Sequence, residues 1–275
     1  MQKGKVPAAF DELVEHFHEL LEAAGETKPL GIFVDSLDQL SDEDAGRTQP
    51  WKWIPKRLPP NVHFVVSTLP DQEYGILQTL TEVYPRALQV PLVPAATSTA
   101  LLKSWMHQRG RTITPEQQQV VDRCLAEDMQ SGISMLHLRL LCDRISKWSS
   151  DHKPEALPNT VQGMIDYAYE ELEKELGEKI VAGFLSLLVA SRDGLTSENI
   201  ADILSADEDA LGGKGQAGTI LENHDPPVRR VPPFLVARLK HDLRDYLVER
   251  GANGIAVLGL YHRQFIEVAE HRYLG

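Results

Sequence analysis

Apolar residues first recur with a helical period. Phe10, Leu13, Val14, Phe17, Leu20 and Leu21 fall at i, i+3, i+4, i+7, i+10 and i+11, one stripe of an amphipathic helix. Gly25 stands where that helix is expected to stop, and His16 and His18 flank the stripe at positions expected to be solvated. The period then changes. Leu30-Gly31-Ile32-Phe33-Val34 is a continuous apolar run, too short for a helix, and predicts a strand buried on both faces in the middle of a parallel sheet. A second β-branched run, Val62 to Val66, predicts another such strand. Arg86 to Leu92 predicts a last short edge strand, since Pro91 cannot donate to a sheet interior.

Beyond Pro94-Ala95-Ala96-Thr97-Ser98, the first candidate domain boundary, the pattern is helical. Leu101, Leu102, Trp105 and Met106 predict one helix ending near Gly110. Thr114-Pro115-Glu116-Gln117 starts a second with a threonine cap, a proline in the first turn and a glutamine placed for a capping box. A third is expected from about Ser134 to Trp148. After the polar linker Lys147 to Asn159, Val161, Met164, Ile165, Ala168, Tyr169, Leu172 and Leu176 line a long helix. Its acidic outer face (Glu170, Glu171, Glu173, Glu175) reads as a solvated surface.

The last hundred residues predict a winged helix. Its first helix carries Ile180, Val181, Phe184, Leu187 and Leu188. Gly194-Leu195-Thr196 turns and caps a second, with Ile200, Ile203 and Leu204. Pro232 and Pro233 start a third, through Leu235, Leu239 and Leu243. Tyr246 to Glu249 and Ile255 to Leu260 then form the wing around a turn at Gly251 to Gly254.

Composition narrows the functional classes. The hydrophobic fraction of 42% and the charged fraction of 25% suit a globular chain. No apolar run is long enough for a membrane span, and the amino terminus has no apolar core of a secretory signal. Cys124 and Cys142 sit in helical patterns as buried thiols, so a cytoplasmic location is expected. The net charge of −12, from 28 basic and 40 acidic residues, argues against a nucleic-acid backbone as partner. Glu198, Asp202, Asp207, Glu208 and Asp209, on and around the second helix of the winged helix, argue the same way.

The chemistry lies at the strand ends. The first strand delivers Asp35 and Asp38 at its carboxyl end, where open α/β sheets place their ligands. Carboxylates there suit a Mg²⁺ that bridges nucleotide phosphates; the alternative is that they cap a solvated turn. The second strand ends in Ser67 and Thr68. Trp51, Trp53 and Ile54, between the strands, are expected to pack the crossover onto the sheet rather than stack a base. A phosphate loop needs G-x-x-x-x-G-K-[ST]. Gly4-Lys5 lacks the first glycine and the hydroxyl, and Gly212 to Thr219 has glycine after Lys214 and reads as a surface loop. On this reading the chain carries half of a nucleotide site.

The strings PLGIFVDSLDQL and LPPNVHFVVSTLP resemble the Walker B and sensor-1 strands of NACHT-type P-loop NTPases. Within that group they are similar to the nephrocystin, telomerase-associated and NACHT-and-WD-repeat proteins. The resemblance implies an α/β fold, a partial parallel P-loop NTPase sheet over 1–94, then a helical domain over 95–177 and a winged-helix domain over 178–275, mostly α overall. It implies Mg²⁺ with ATP or ADP as cofactors. Asp35 would hold Mg²⁺ through water, Asp38 would position the attacking water, and Ser67 or Thr68 would sense the γ-phosphate. The string LYHRQFIE resembles the winged-helix motif whose histidine, here His262, reaches the β-phosphate of ADP. All of these residues are then expected to converge on one cleft. Three positions depart from the family: Gln39 follows the second aspartate, Leu69 follows the sensor hydroxyls, and Gly132-Ile133-Ser134 lacks the proline that opens the third helix. The expected function is a regulatory nucleotide switch, at most a slow ATPase in a full-length relative. The alternative is a non-catalytic scaffold. Other proteins, self-association included, are the expected partners.

Overall fold

A computed structural model of the chain describes residues 6–39, 53–69, 76–126, 132–207, 230–252 and 255–275. Trp51 and the glycine-rich stretch Gly212 to Thr219 lie outside them. The molecule is mostly helical and divides into two compact units, Met1–Val90 and Pro91–Gly275.

In the first unit, α1 (Phe10–Thr27) precedes β1 (Leu30–Val34), and β2 (Val62–Val66) pairs with β1 in parallel, Leu30 opposite Val62 and Val34 opposite Val66. Gly25 does not stop α1. It lies inside the helix, buried, where an added Cβ would come within 3.0 Å of Pro59 and 3.2 Å of Val62. The glycine lets α1 approach β2, and Asn61 adds a hydrogen bond to the Gly25 carbonyl at 2.9 Å. Of the predicted stripe, Val14 and Leu21 are buried, whereas Leu13 and Leu20 are exposed. His18 is half-buried and lies 3.1 Å from the Trp53 carbonyl, so it ties α1 to the crossover.

The sheet is shallower than the apolar runs imply. Successive strand side chains face opposite ways, and Phe33 and Val65 are 79% and 52% exposed while Val34, Phe64 and Val66 turn inward. The inward set packs on Leu37, Ile54, Trp53 and α2 (Ile76–Val83). The expected edge strand over Arg86–Leu92 is irregular, with Leu88 89% and Val90 84% exposed. Among the described residues no strand pairs with it, and without a ladder an extended run stays irregular.

The second unit opens with α3 (Ala95–Gln108), α4 (Pro115–Ala126) and α5 (Met135–Ile145). The capping box is present: the Gln117 amide donates to the Thr114 hydroxyl at 3.3 Å, and the Gln117 side chain accepts from the Thr114 amide at 3.0 Å. The Gln117 side-chain amide also binds the linker carbonyls of Ser149 and His152. Arg109 pairs with buried Asp143, and Arg111 donates to the carbonyls of Ser146 and Trp148 at the end of α5. There the helix dipole favours a cation.

The long α6 (Val161–Leu176) follows, and its buried Met164, Ile165, Tyr169, Leu172 and Leu176 join one continuous core that extends through the winged helix. The acidic face of α6 is not all solvated. Glu173 takes two hydrogen bonds from Arg272 and one from Tyr273, and Glu171 pairs with Arg144. The partners lie far along the chain, where local pattern cannot show them.

The winged helix consists of α7 (Glu178–Ala190), an isolated bridge between Leu195 and Leu258, α8 (Ser197–Ala206), α9 (Pro233–Asp242), the hairpin β3 (Leu247–Ala252) and β4 (Ile255–Leu260), and α10 (Arg263–Tyr273). Gly194 has φ +86°, and a Cβ there would lie 2.7 Å from the Leu258 carbonyl oxygen, so only glycine fits beside the wing. Ile203, grouped by spacing with Ile200 and Leu204, is 45% exposed, because that i, i+4 pair already fills the face toward the core.

Candidate functional site

The parallel register sets Val34 opposite Val66, so the next residue on each strand, Asp35 and Ser67, meet. The Ser67 hydroxyl donates to Asp35 Oδ1 in a short hydrogen bond and accepts from the Ser36 amide at 2.8 Å. Backbone bonds close the junction: Ser67 N–H to the Val34 carbonyl and Leu37 N–H to the Ser67 carbonyl, each at 2.9 Å. Ser36 adopts φ 55° there. For a residue with a Cβ that left-handed conformation costs about 1–2 kcal/mol, and strain of this kind gathers at functional sites. Sequence reasoning missed Ser36; its only signal was its place between two candidate residues.

After Ser36 the chain makes a short 3-10 turn, Leu37–Gln39, which buries Leu37 and sets Asp38 beside the end of β2. Asp38 Oδ1 accepts from the Leu69 amide at 3.1 Å. The Thr68 hydroxyl donates to the Leu69 carbonyl at 3.2 Å. Of the two hydroxyl residues that the sequence left as alternatives, Ser67 is the one in contact with Asp35. Asp35 is exposed and Asp38 half-buried.

The donor set at these strand ends suits Mg²⁺ chemically. It consists of hard oxygens, and Mg²⁺ is typically held by one or two carboxylates with waters and substrate phosphates. Among the described residues no three His, Cys, Asp or Glu side chains cluster as a metal cage, so an ion here would depend on a ligand's phosphates. Cys124 and Cys142 are free and buried.

His262 belongs to the second unit. It follows β4 and caps α10, its Nδ1 accepting from the Gln264 amide at 3.2 Å. An acceptor at Nδ1 puts the proton of the neutral ring on Nε2. The ring stands edge-on to Phe265, which is buried, stacks on Tyr246 and accepts from the Tyr169 hydroxyl through its carbonyl at 3.1 Å. A rigid core therefore orients this imidazole, and capping occupies one of its nitrogens.

Two further features bear on function. Gly132-Ile133-Ser134 lacks the expected proline, yet Ser134 has φ −69°, within the range a proline ring imposes, and its hydroxyl caps α5 by accepting from His137 N–H at 3.1 Å. Ile133 bridges to Val93. Among the described residues the order is helix, strand, helix, helix, hairpin, in which the second helix of the helix-turn-helix is α9 rather than α8. Its cations are paired, Arg238 with Asp242 and Glu175, and Lys240 with Glu249.

A parallel strand pair ending in carboxylates and a hydroxyl, followed along the chain by helices and a winged helix, is the element order that the resemblance to NACHT-type proteins implies. Sequence comparison agrees. Residues 154–275 match the family model described as NWD1-like, winged helix-turn-helix domain. The chain is 30% identical over 99% of its length to human NACHT domain- and WD repeat-containing protein 1, and 30% identical over 98% to human NACHT and WD repeat domain-containing protein 2. It is 27% identical over 73% to mouse telomerase protein component 1. It spans 17%, 15% and 8% of those proteins, respectively. Among the described residues no helix is long and apolar enough to cross a membrane.

Proposed function

We propose that the chain is part of a regulatory nucleotide switch that responds to Mg²⁺-ATP and ADP. The observation that carries this reading is the contact between Asp35 and Ser67 at adjacent parallel strand ends, with Asp38 one turn further on. Asp35 would hold Mg²⁺ through water, the ion when bound screening phosphate charge, and Asp38 would position the attacking water. Ser67 orients the Asp35 carboxylate and can exchange its hydroxyl bond between that carboxylate and a terminal phosphate. His262, with Nδ1 used as a cap, offers its Nε2–H to a diphosphate. A switch further requires that nucleotide bind two arrangements of the protein with unequal affinity. Any hydrolysis is slow, since neither Gln39 nor Leu69 supplies the acid or the arginine that relatives often carry. A cytoplasmic location and protein partners, including a second copy, accompany this proposal.

One observation favours the scaffold reading instead. Both carboxylates already hold the end of β2, Asp35 through Ser67 and Asp38 through Leu69, so each has a structural task without nucleotide. Calorimetric titration of the chain with Mg²⁺-ATP and with ADP separates the two. The switch reading expects micromolar binding that Asp35→Asn weakens at least tenfold in the presence of Mg²⁺, and that His262→Ala weakens for ADP more than for ATP. Absence of binding by the folded chain supports the scaffold.

A further inference from the structure

Helix α1 carries fixed charge of one sign. Asp11, Glu12, Glu15, Glu19, Glu22 and Glu26 are acidic, and none of its residues is Lys or Arg. The five glutamates are all exposed. They follow one another at spacings of three and four, so at 3.6 residues per turn they form a ladder within an arc of about 100°. Like charges at those spacings destabilise a helix. Glu22 and Glu26 also lie toward the C-terminal end, where the helix dipole disfavours an acid, and the last turn holds no basic residue. Such a face is unfavourable on a helix alone and favourable beside cations.

Next to the ladder lies an apolar flank that the sheet does not cover. Val14 and Leu21 are buried, whereas Leu13 and Leu20 are 41% and 44% exposed, and Phe17 between them is half-buried. Leu13, Phe17 and Leu20 stand at i, i+4 and i+7, the spacing through which one helix packs on another. Glu12 and Glu19 each precede a seam leucine by one residue, about 100° round the helix, so the acids border the seam without interrupting it. Single exposed leucines are ordinary, but a seam bordered by charge of one sign selects its partner. A second copy would set one glutamate ladder beside another, and an anionic membrane would meet the same repulsion. A Lys- or Arg-rich amphipathic helix matches both the seam and the ladder.

We infer that this flank of α1 docks a basic amphipathic helix of a partner protein, with apolar side chains over Leu13, Phe17 and Leu20 and cations against the glutamates. The test is fluorescence anisotropy of the dye-labelled peptide LKKLLKLLKKLLKL, titrated with the full 275-residue chain at physiological ionic strength. The expected result is saturable binding of one peptide per chain, with the acidic counterpart LEELLELLEELLEL at least tenfold weaker. Leu13→Ser with Leu20→Ser should weaken binding at least tenfold, and so should Glu12→Lys with Glu19→Lys, each with unchanged far-UV circular dichroism. Glu155→Lys with Glu170→Lys, an equal change of net charge away from α1, should leave it within twofold. Equal losses in the two charge-reversed variants would show attraction by net charge alone, and undiminished binding by the leucine variant would remove the seam. Either result overturns the proposal. So does an absence of saturable binding, or a dimer in sedimentation that the leucine variant abolishes, which would give the flank to a second copy.

Discussion

Phe33 and Phe184 are the same side chain in two different situations. Phe184 sits in α7 with no accessible surface, inside a core that continues from Leu102 to Ala269. Phe33 lies in β1 and is 79% exposed, on a sheet face that no described residue covers. The second unit closes around its apolar residues with packed helices and the hairpin, and with cross-ties such as Arg272 to Glu173. Among the described residues the main cluster of the first unit has only Leu37, Ile54 and Ile76 buried, with half-buried neighbours, and Val65, Leu88 and Val90 stay open. A hydrophobic run thus specifies a strand but not its depth. Depth depends on what packs against each face, and among the described residues only one face is covered.

The largest expected effect follows from that contrast. Phe184→Ala leaves a cavity in a close-packed interior and should cost about 3–5 kcal/mol. Guanidinium unfolding with hydrogen exchange resolved along residues 91–275 measures it. A loss below about 1 kcal/mol would mean that the second unit is as loosely packed as the sheet, and the contrast would fail.

Next comes the tie between α10 and α6. Burial raises the pKa of the Glu173 carboxyl, but hydrogen bonds from Arg272 and Tyr273 outweigh it and hold the group below its ordinary value. A depressed folded-state pKa stabilises the fold above the unfolded-state value, and that contribution is lost as pH falls through the folded-state value. Glu173→Gln should therefore lower the melting temperature at neutral pH and flatten its decline below the ordinary carboxyl range. Parallel acid limbs in parent and variant would show that the tie contributes nothing to pH dependence.

Much of this second unit was legible in the sequence, because its signals are local. The Thr114 and Gln117 pairing, the Thr196 cap of α8 and the wing strands all follow from residues a few positions apart. What local pattern missed was long-range. Glu173 looked solvated because Arg272 lies ninety-nine residues away in the chain. Gly25 looked like a helix stop because nothing nearby in sequence shows Pro59 and Val62 pressing on it. Arg86 to Leu92 reads as an edge strand, yet a strand needs a partner that local pattern cannot supply. At the candidate site, the run of strand formers sets Asp35 and Ser67 directly after β1 and β2, and Asp38 in the short turn that follows β1. That Ser67 and not Thr68 would meet Asp35 depends on the register of Val34 against Val66, which alternation alone does not fix.

The smallest expected effect is at Phe33 itself. Burial of a phenylalanine side chain contributes about 1.5–3 kcal/mol relative to exposure, so a ring that remains mostly in water has little of this to lose. Phe33→Ala should change the stability of residues 6–90 by no more than about 0.5 kcal/mol, read from hydrogen exchange in β1 and β2. The backbone ladder to Val65 is untouched by the truncation, so a loss beyond the lower strand propensity of alanine, about 1 kcal/mol at most, would point to contact between the ring and something that covers the outer face of the sheet. A loss comparable to that of Phe184→Ala would remove the distinction between the two units. A null effect would mark the Phe33 and Val65 face as available surface on the same strands that present Asp35 and Ser67.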